Sequence, residues 1–240
     1  MAKKPNILFF VADQMRADAL HHLGNEASIT PNIDNILNDG VSFENAYCQN
    51  PVCVPSRCSF LTGLYPHTTG HRTMHFLQRE NEPNVLKEMK NNGYEVIWIG
   101  RNDVVPGDKL KTAYCDEYYD GIHFTNTRDV TNDKPFGGHG DNQPKITEEM
   151  MNDGSLYSFY IGKLENSSGY GSMDWNCVKS AIDYIERKSK EKDSKPFFVY
   201  CTISFPHPPY ACEDPWYSMI DRSKVPPRRP NIQTLKDKAS

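Results

Sequence analysis

The stretch EPNVLKEMKNNGYEVIWIG, residues 82–100, joins a short helical pattern, a glycine stop and an apolar run. Gly93 is a suitable end for the helix, because glycine readily adopts the left-handed conformation in which many helices stop. The run that follows has almost no polar residues, which is typical of a strand buried on both faces of a parallel sheet. The stretch therefore predicts one helix-then-strand unit of an α/β fold.

The same pattern recurs near both ends of the chain. Residues 173–205 read as a longer helix, a break at Pro196 and a second buried strand, and NILFFVA (6–12) reads as a third. Alternating helices and apolar strands predict a doubly wound, mostly parallel sheet flanked by helices. Helical spacing places the larger apolar residues of the long helix on one face: Trp175, Val178, Ile182 and Ile185.

Other segments are less regular. TPNIDNILNDG (30–40) is typical of a helix with Thr30 as its N-cap, and VSFENAY (41–47) is typical of a short strand. Residues 101–172 show no sustained period and contain KPFGGHGDNQP (134–144). We expect this segment to form a long irregular insertion, since structureless stretches of such length are usually functional loops or mobile segments.

Composition excludes several classes of function. The chain has 240 residues and a net charge of −4, with no basic stripe that would favour nucleic acid as a partner. No apolar run approaches the ~20 residues that span a bilayer, and the first residues lack the pattern of a signal peptide. Seven scattered cysteines without a C-x-x-C pair favour a reducing compartment. We therefore expect a cytoplasmic location and no membrane partner, unless a leader has been removed.

Polar side chains follow each of the three predicted strands. Asp13 comes directly after the first strand, Arg101 after the second and His207 after the third. Ligands of open α/β sheets bind beyond the carboxyl ends of the strands, so these residues are candidates for one site. A solitary histidine before prolines is otherwise a turn residue.

Asp13 has two chemical readings. It can ligate a hard divalent cation, with the amide oxygen of Gln14 beside it, or it can cap the turn that follows the strand. A phosphotransfer nucleophile of the haloacid-dehalogenase type requires the pattern D-x-D. That reading fails because position 15 is Met.

The stretch CVPSRCSFLTG, residues 53–63, predicts a helix that starts near Pro55 and stops at Gly63. Cys53 then lies at the helix N-terminus, where the dipole attracts anions and lowers a thiol pKa. Arg57 lies one turn on and offers a fork of donors to an oxyanion. The spacing is not the C-x5-R of phosphatases, and the plainer alternative is a buried cysteine near a structural arginine.

The run C-x-P-S-R followed by CSFLTG resembles the signature of the sulfatases, in which a separate maturation enzyme converts the cysteine to Cα-formylglycine. The resemblance continues along the whole chain in order. PNILFFVADQ is similar to the family's metal-binding first strand, and FFVYCTISFPHPPY to the strand that ends in P-H-x-P. The remaining similar segments are TPNIDNILNDGVSFENAY, GLYPHTTGH and NGYEVIWIGRND.

The resemblance implies a sulfuric ester hydrolase that acts on a small-molecule or sugar sulfate ester. A hydrated aldehyde at position 53 offers one hydroxyl to attack sulfur and a second to expel sulfate. The resemblance places Asp13, Gln14 and position 53 on a divalent metal, Ca²⁺ first and Mg²⁺ as the alternative. It gives Arg57 the role of steadying the modified residue, and His207 and Arg101 the role of contacting substrate.

Some positions depart from the family pattern. Gln14 stands where many sulfatases have a second Asp, a variant also found in phosphonate and phosphate diester hydrolases of the alkaline phosphatase superfamily. Arg101 replaces the usual Lys and can still bind an oxyanion, whereas Asp103 replaces the usual His and cannot donate a proton as His⁺ does. His67 and His71 have zincin-like spacing but no Glu follows His67, so we interpret both as structural.

The family continues beyond this length to an Asp-Asn or Asp-His pair that completes the metal site, and nothing after His207 supplies it. We interpret residues 1–240 as the N-terminal portion of a sulfatase catalytic domain and expect weak or no turnover from them alone. Three hypotheses stay open: a sulfatase, a phosphonate or phosphate diester hydrolase using the same modified cysteine, and a non-catalytic fragment whose Cys53 is never modified.

Overall fold

The structure is a computed structural model, and it describes residues 4–107, 110–120, 160–163, 172–208 and 210–227. Clustering of contacts divides the chain into two compact units. Unit 1 comprises residues 1–15, 47–161 and 166–210. Unit 2 comprises residues 16–46, 162–165 and 211–240. Each unit is described by itself below.

The described residues form the following strands and helices. The strands are β1 (Ile7–Ala12), β2 (Glu95–Gly100), β3 (Glu117–Tyr119), β4 (Tyr160–Lys163), β5 (Phe197–Ile203) and β6 (Tyr210–Cys212). The helices are α1 (Pro31–Ile36), α2 (Cys53–Thr62), α3 (Pro66–Thr69), α4 (Val85–Asn91), α5 (Leu110–Ala113), α6 (Ser172–Lys190) and α7 (Trp216–Met219). Short 3-10 turns lie at Ala17–Ala19, His21–Leu23 and Arg222–Lys224.

The main sheet of unit 1 has the strand order β1-β5-β2-β3, and every pair in it is parallel. Ile97 of β2 pairs with Val199 of β5, so these two central strands are in direct register. A separate two-stranded sheet pairs β4 with β6. Because parallel strands run the same way, the carboxyl ends of β1, β5 and β2 share one edge, as the sequence predicts.

Helices cover both faces of the main sheet, which confirms the doubly wound fold. Trp98 and Tyr200 face α2 and α4, where they pack with Leu61 and Leu86. Alternate residues of the same strands form the opposite face, because side chains alternate along a strand. There Ile97, Ile99, Val199 and Cys201 pack against α6. Among the described residues, no helix is both long and apolar enough to cross a membrane.

The buried face of α6 differs from the sequence prediction. Trp175 and Ile182 are 51% and 49% exposed, whereas Cys177, Ala181 and Tyr184 are buried against the sheet. The small side chains of Cys177 and Ala181 allow the helix to approach the strands closely. Of the four residues predicted to share the buried face, Ile185 packs against the cluster, whereas Trp175 and Ile182 lie away from it. The prediction was wrong in part, because it counted large apolar side chains and passed over Cys177 and Ala181.

Two predictions for residues 30–47 need correction. Residues 41–47 form no strand, because Val41 and Phe43 are each 79% exposed and no described strand lies alongside them. Helix α1 ends at Ile36. Thr30 precedes it, but its side chain caps no backbone amide and instead donates to Asp34 Oδ1 at 3.1 Å.

The segment 101–172 is only partly described. Its described part contains α5, the three-residue strand β3, which pairs with β2, and the strand β4, which pairs with β6. Sequence reasoning missed these elements. A strand of three residues is too short to show a period. The run 134–144 lies outside the described residues. Treating residues 1–240 as one catalytic portion with an irregular insertion stays a prediction.

Gly100 closes β2 directly before the polar residues of the site. Its φ is +90°, and a Cβ built there would lie 1.9 Å from the carbonyl oxygen of Thr202. The Thr202 hydroxyl in turn donates to the carbonyl oxygen of Arg101 at 3.0 Å. A glycine is therefore needed both for the backbone conformation and for the close approach of β2 to β5.

We expect Gly100→Ala to lower the free energy of unfolding by about 2–5 kcal/mol, because it adds left-handed strain and an overlap with backbone. Urea unfolding measures this. Gly107→Ala is the matched control, since a Cβ at Gly107 meets nothing within 4 Å and should change stability by less than about 0.5 kcal/mol. Equal effects of the two substitutions would contradict the packing described here.

Candidate active site

The site starts at the end of β1. The amide of Asp13 donates to the carbonyl oxygen of Ile203 at 3.1 Å, which joins the carboxyl ends of β1 and β5. The Asp13 side chain is 8% exposed. A carboxylate buried to this degree needs charged or hydrogen-bonding partners, because an isolated buried charge is strongly unfavourable. All residues of the site belong to unit 1.

Helix α2 brings Cys53 and Arg57 to Asp13. The helix begins at Cys53, and burial of its Val54 and Leu61 fixes it on the sheet. Arg57 Nη2 donates to Asp13 Oδ2 at 2.9 Å, and Cys53 Sγ lies 3.8 Å from Asp13 Oδ1. One carboxylate oxygen therefore faces the guanidinium and the other faces the cysteine.

The residues after β2 complete a network of four charges. Asp103 Oδ2 lies 2.8 Å from Arg101 Nε and 3.5 Å from Arg57 Nε. Arg101 Nη1 lies 3.8 Å from Asp13 Oδ2. Arg57 and Asp103 are buried, and Arg101 is 24% exposed at its side chain. The two carboxylates and two guanidinium groups balance in charge, and Arg101 is the cation that solvent can reach.

Asp103 has a larger part in this network than the sequence suggested. Its carboxylate, the Cys53 thiol and the Asp13 carboxylate place ligand atoms within 4.8 Å of one another. In the sequence, Asp103 stands out mainly as the replacement of a histidine of the family pattern. The signal that was available is its position, because an acidic residue three places after a buried strand reaches the same sheet edge as Asp13.

The electrostatics contradict one expectation. Burial raises the pKa of the Cys53 thiol, and the carboxylates of Asp13 and Asp103 raise it further, against the opposing effect of the two arginines. The helix N-terminus therefore does not make Cys53 a thiolate. Burial also acts against the charge on Arg57, but Tyr200 and the two carboxylates outweigh it and raise the pKa of the guanidinium.

Gln14 and His207 form hydrogen bonds with residues other than the four of the charge network. Gln14 has a left-handed backbone with φ 57°, and its Nε2 donates to the Tyr210 hydroxyl at 3.1 Å. His207 lies in the turn after β5, and its Nδ1 is 2.7 Å from the carbonyl oxygen of Pro208. A carbonyl only accepts hydrogen bonds, so Nδ1 carries a proton in this contact.

The two histidines of HTTGH lie in different environments. His71 is buried, with Nδ1 2.7 Å from the carbonyl oxygen of Phe76 and Nε2 2.9 Å from Glu82 Oε2. His67 stacks on the ring of Tyr65 at a centroid separation of 5.5 Å. None of these three contacts includes a residue of the four-charge network.

Comparison with known proteins assigns the family. The profile of the Sulfatase family matches residues 5–228. This chain belongs to the sulfatase family. The sulfatase chain is 29% identical to an arylsulfatase of Clostridium perfringens over 235 residues, which are 93% of this chain and 47% of that protein. It therefore spans about half the length of this curated relative.

Solved structures show the same fold. A phosphonate monoester hydrolase from Silicibacter pomeroyi matches with a TM-score of 0.64 and 22% identity, over 96% of this sulfatase chain and 47% of that one. A protein whose structure is described as a complex with its substrate D-glucosamine-2-N,6-O-disulfate matches with a TM-score of 0.56 and 21% identity. That alignment covers 85% of this chain and 35% of the other.

We expect Arg57→Gln to lower the free energy of unfolding by about 3–5 kcal/mol, because it leaves the buried Asp13 carboxylate without its nearest charge partner. Urea unfolding measures the change. Arg16→Gln is the control, since Arg16 pairs with Asp18 but is 69% exposed and should change stability by less than about 1 kcal/mol. A loss at Arg57 as small as that at Arg16 would contradict a buried charge network.

Proposed function

We propose that the protein is a sulfuric ester hydrolase whose nucleophile derives from Cys53. The observation that carries this proposal is the position of Cys53: it starts α2, lies 3.8 Å from the Asp13 carboxylate and belongs to a C-x-P-S-R signature. Two arginines lie at the same sheet edge and are suited to bind the oxygens of a sulfate group.

The raised pKa of Cys53 argues against a mechanism in which the cysteine itself attacks as a thiolate. A cysteine that attacks as sulfur needs a lowered pKa, because the thiolate is the nucleophile. Cys53 has the opposite shift. The hydrated aldehyde supplies two hydroxyl groups on one carbon, one to attack sulfur and one to release sulfate by re-forming the aldehyde. We propose that a separate maturation enzyme makes this change.

The oxygen donors around Asp13 fit a hard divalent cation once position 53 carries oxygen. Asp13 Oδ1 and the Gln14 amide are suitable ligands, and Ca²⁺ and Mg²⁺ prefer such oxygens over a thiol. Arg57 Nη1 is buried with no hydrogen-bond partner among the described residues. We propose Ca²⁺, with Mg²⁺ as the alternative; when bound, the metal polarises the sulfate group.

Each remaining side chain has a role that its contacts permit. Arg57, held between Asp13 and Asp103, steadies the modified residue and the charge that develops near it. Arg101 is the partly exposed cation and binds the sulfate oxygens. His207 presents Nε2 for proton exchange with the leaving alcohol, because Nδ1 is fixed on Pro208.

The substrate class follows from the relatives and from the charge of the site. We propose a sulfate ester of an aromatic alcohol or a sugar, since one relative is an arylsulfatase and one similar structure contains a sulfated glucosamine. A phosphonate or phosphate diester hydrolase is the second candidate. Gln14 favours it, because an amide in place of a carboxylate lowers the negative charge of the metal site.

The test compares an aryl sulfate with the corresponding aryl phosphonate ester on the full-length protein purified from its own cells. We expect the sulfate to be the better substrate and Cys53→Ala to lower kcat/KM on the order of 10³-fold or more, because it removes the nucleophile. Cys48→Ala is the control, since Cys48 is an exposed free cysteine.

Three outcomes separate the hypotheses. Faster cleavage of the phosphonate would favour the second candidate. Hydrolysis of neither ester would favour a non-catalytic chain. Equal, measurable activity of Cys53→Ala and the wild-type protein would contradict the proposal that the nucleophile derives from Cys53.

A further inference from the structure

Asp174 is a buried carboxylate that the proposed mechanism does not use. It is the third residue of α6 and its side chain is 8% exposed. Its Oδ1 accepts the amide of Ser204 at 2.9 Å, and its Oδ2 accepts the amide of Phe205 at 2.7 Å. Both oxygens of one carboxylate therefore bind consecutive backbone amides, directly after β5 ends.

These two hydrogen bonds fix a segment that lies beyond the strand pairing of the sheet. Ser204 follows the last residue of β5, so its amide and that of Phe205 have left the parallel pairing with β1 and β2. Ser204 and Phe205 are partly buried, and backbone amides shielded from water need acceptors. Asp174 supplies these acceptors from a different element. The turn is thereby attached to α6, which packs on the sheet through Cys177, Ala181 and Tyr184.

The contacts continue from this turn to His207. The amide of His207 donates to the carbonyl oxygen of Ser204 at 2.8 Å, so Ser204 is held at its amide by Asp174 and at its carbonyl by His207. The His207 ring is fixed in turn, because Nδ1 contacts the carbonyl oxygen of Pro208 at 2.7 Å. Releasing Ser204 and Phe205 from Asp174 would therefore move the backbone that carries His207.

A purely structural role for Asp174 is the competing explanation. Burial raises the pKa of Asp174, although the two backbone hydrogen bonds act to lower it. A buried carboxylate that accepts two backbone hydrogen bonds is typical of residues that hold a functional group in place. Such a residue keeps the group in one orientation through strong, directional contacts. The two explanations predict different effects of substituting Asp174 on kcat and on the NMR signals of the His207 ring.

We propose that Asp174 is a positioning residue that holds His207 in its working orientation through the backbone of Ser204 and Phe205. The inference rests on the proposed function, in which His207 exchanges a proton with the leaving group. Asp174 itself touches neither substrate nor metal in this account. It acts by binding two amides at once, which only a carboxylate can do without presenting a donor to one of them.

The first experiment uses Asp174→Asn in the full-length protein, with Asp183→Asn as the control. Asparagine keeps the shape but directs an NH₂ group at one of the two backbone amides, whereas Asp183 is exposed on the same helix. We expect kcat for an aryl sulfate to fall 10- to 100-fold at Asp174, as displacement of a catalytic group by about 1 Å predicts. KM should change by less than about threefold.

The second readout does not depend on turnover. Nitrogen NMR of ¹⁵N-histidine-labelled full-length protein reports the His207 tautomer, with His207→Gln used to assign the signal. We expect Asp174→Asn to shift the His207 ring signals and Asp183→Asn to leave them unchanged. The NMR measurement tests the positioning role of Asp174 even if the wild-type protein cleaves no sulfate ester. In that case the proposed function is wrong, and the effect of Asp174 on His207 is still measured.

Two results would overturn the inference. One is wild-type kcat in a folded Asp174→Asn protein, and the other is an unchanged His207 spectrum in that variant. If Asp174→Asn lowers thermal stability, Asp174→Glu provides a second variant that retains both acceptor oxygens. It should recover part of the kcat lost in Asp174→Asn, and failure of Glu to recover any of it in a folded protein would also count against positioning.

Discussion

The ion pair between Arg57 and Asp13 is the interaction on which the site depends. It joins α2 to the end of β1 with a distance of 2.9 Å, and both side chains are buried. Neither charge is stable there alone, because transfer of an unpaired charge from water is strongly unfavourable. The pair links the first turns of α2 to the end of β1, where Cys53 lies beside the same carboxylate.

The parallel sheet makes this arrangement possible. Its strand order β1-β5-β2 places the residues after three distant strands at one edge. Gly100 allows β2 to approach β5 closely, and Arg101 and Asp103 follow it into the charge network. The network is balanced in charge within the protein, and Arg101 is its partly exposed cation.

Much of the fold could be predicted from local patterns. The three buried strands and the helix–glycine–strand unit at residues 82–100 are visible in sequence, since they follow from periodicity and turn chemistry. The buried stripe of α6 and the short strand β3 could not be predicted this way, because they depend on contacts with neighbouring elements. The raised pKa of Cys53 was missed for the same reason: burial and two carboxylates outweigh the helix N-terminus.

The candidate site was predictable mainly where a residue follows a strand or lies in the family signature. The structure brings together four residues that were predicted for the site: Asp13, Cys53, Arg57 and Arg101. The contribution of Asp103 to the charge network is visible only in the structure, from its short distances to Arg101 and to Asp13 and Cys53. The central claim is that Cys53 is converted to formylglycine. Peptide mass spectrometry on protein isolated from its own cells tests it most directly: the account predicts oxygen in place of sulfur at position 53, and an unmodified thiol in all of the material would contradict it.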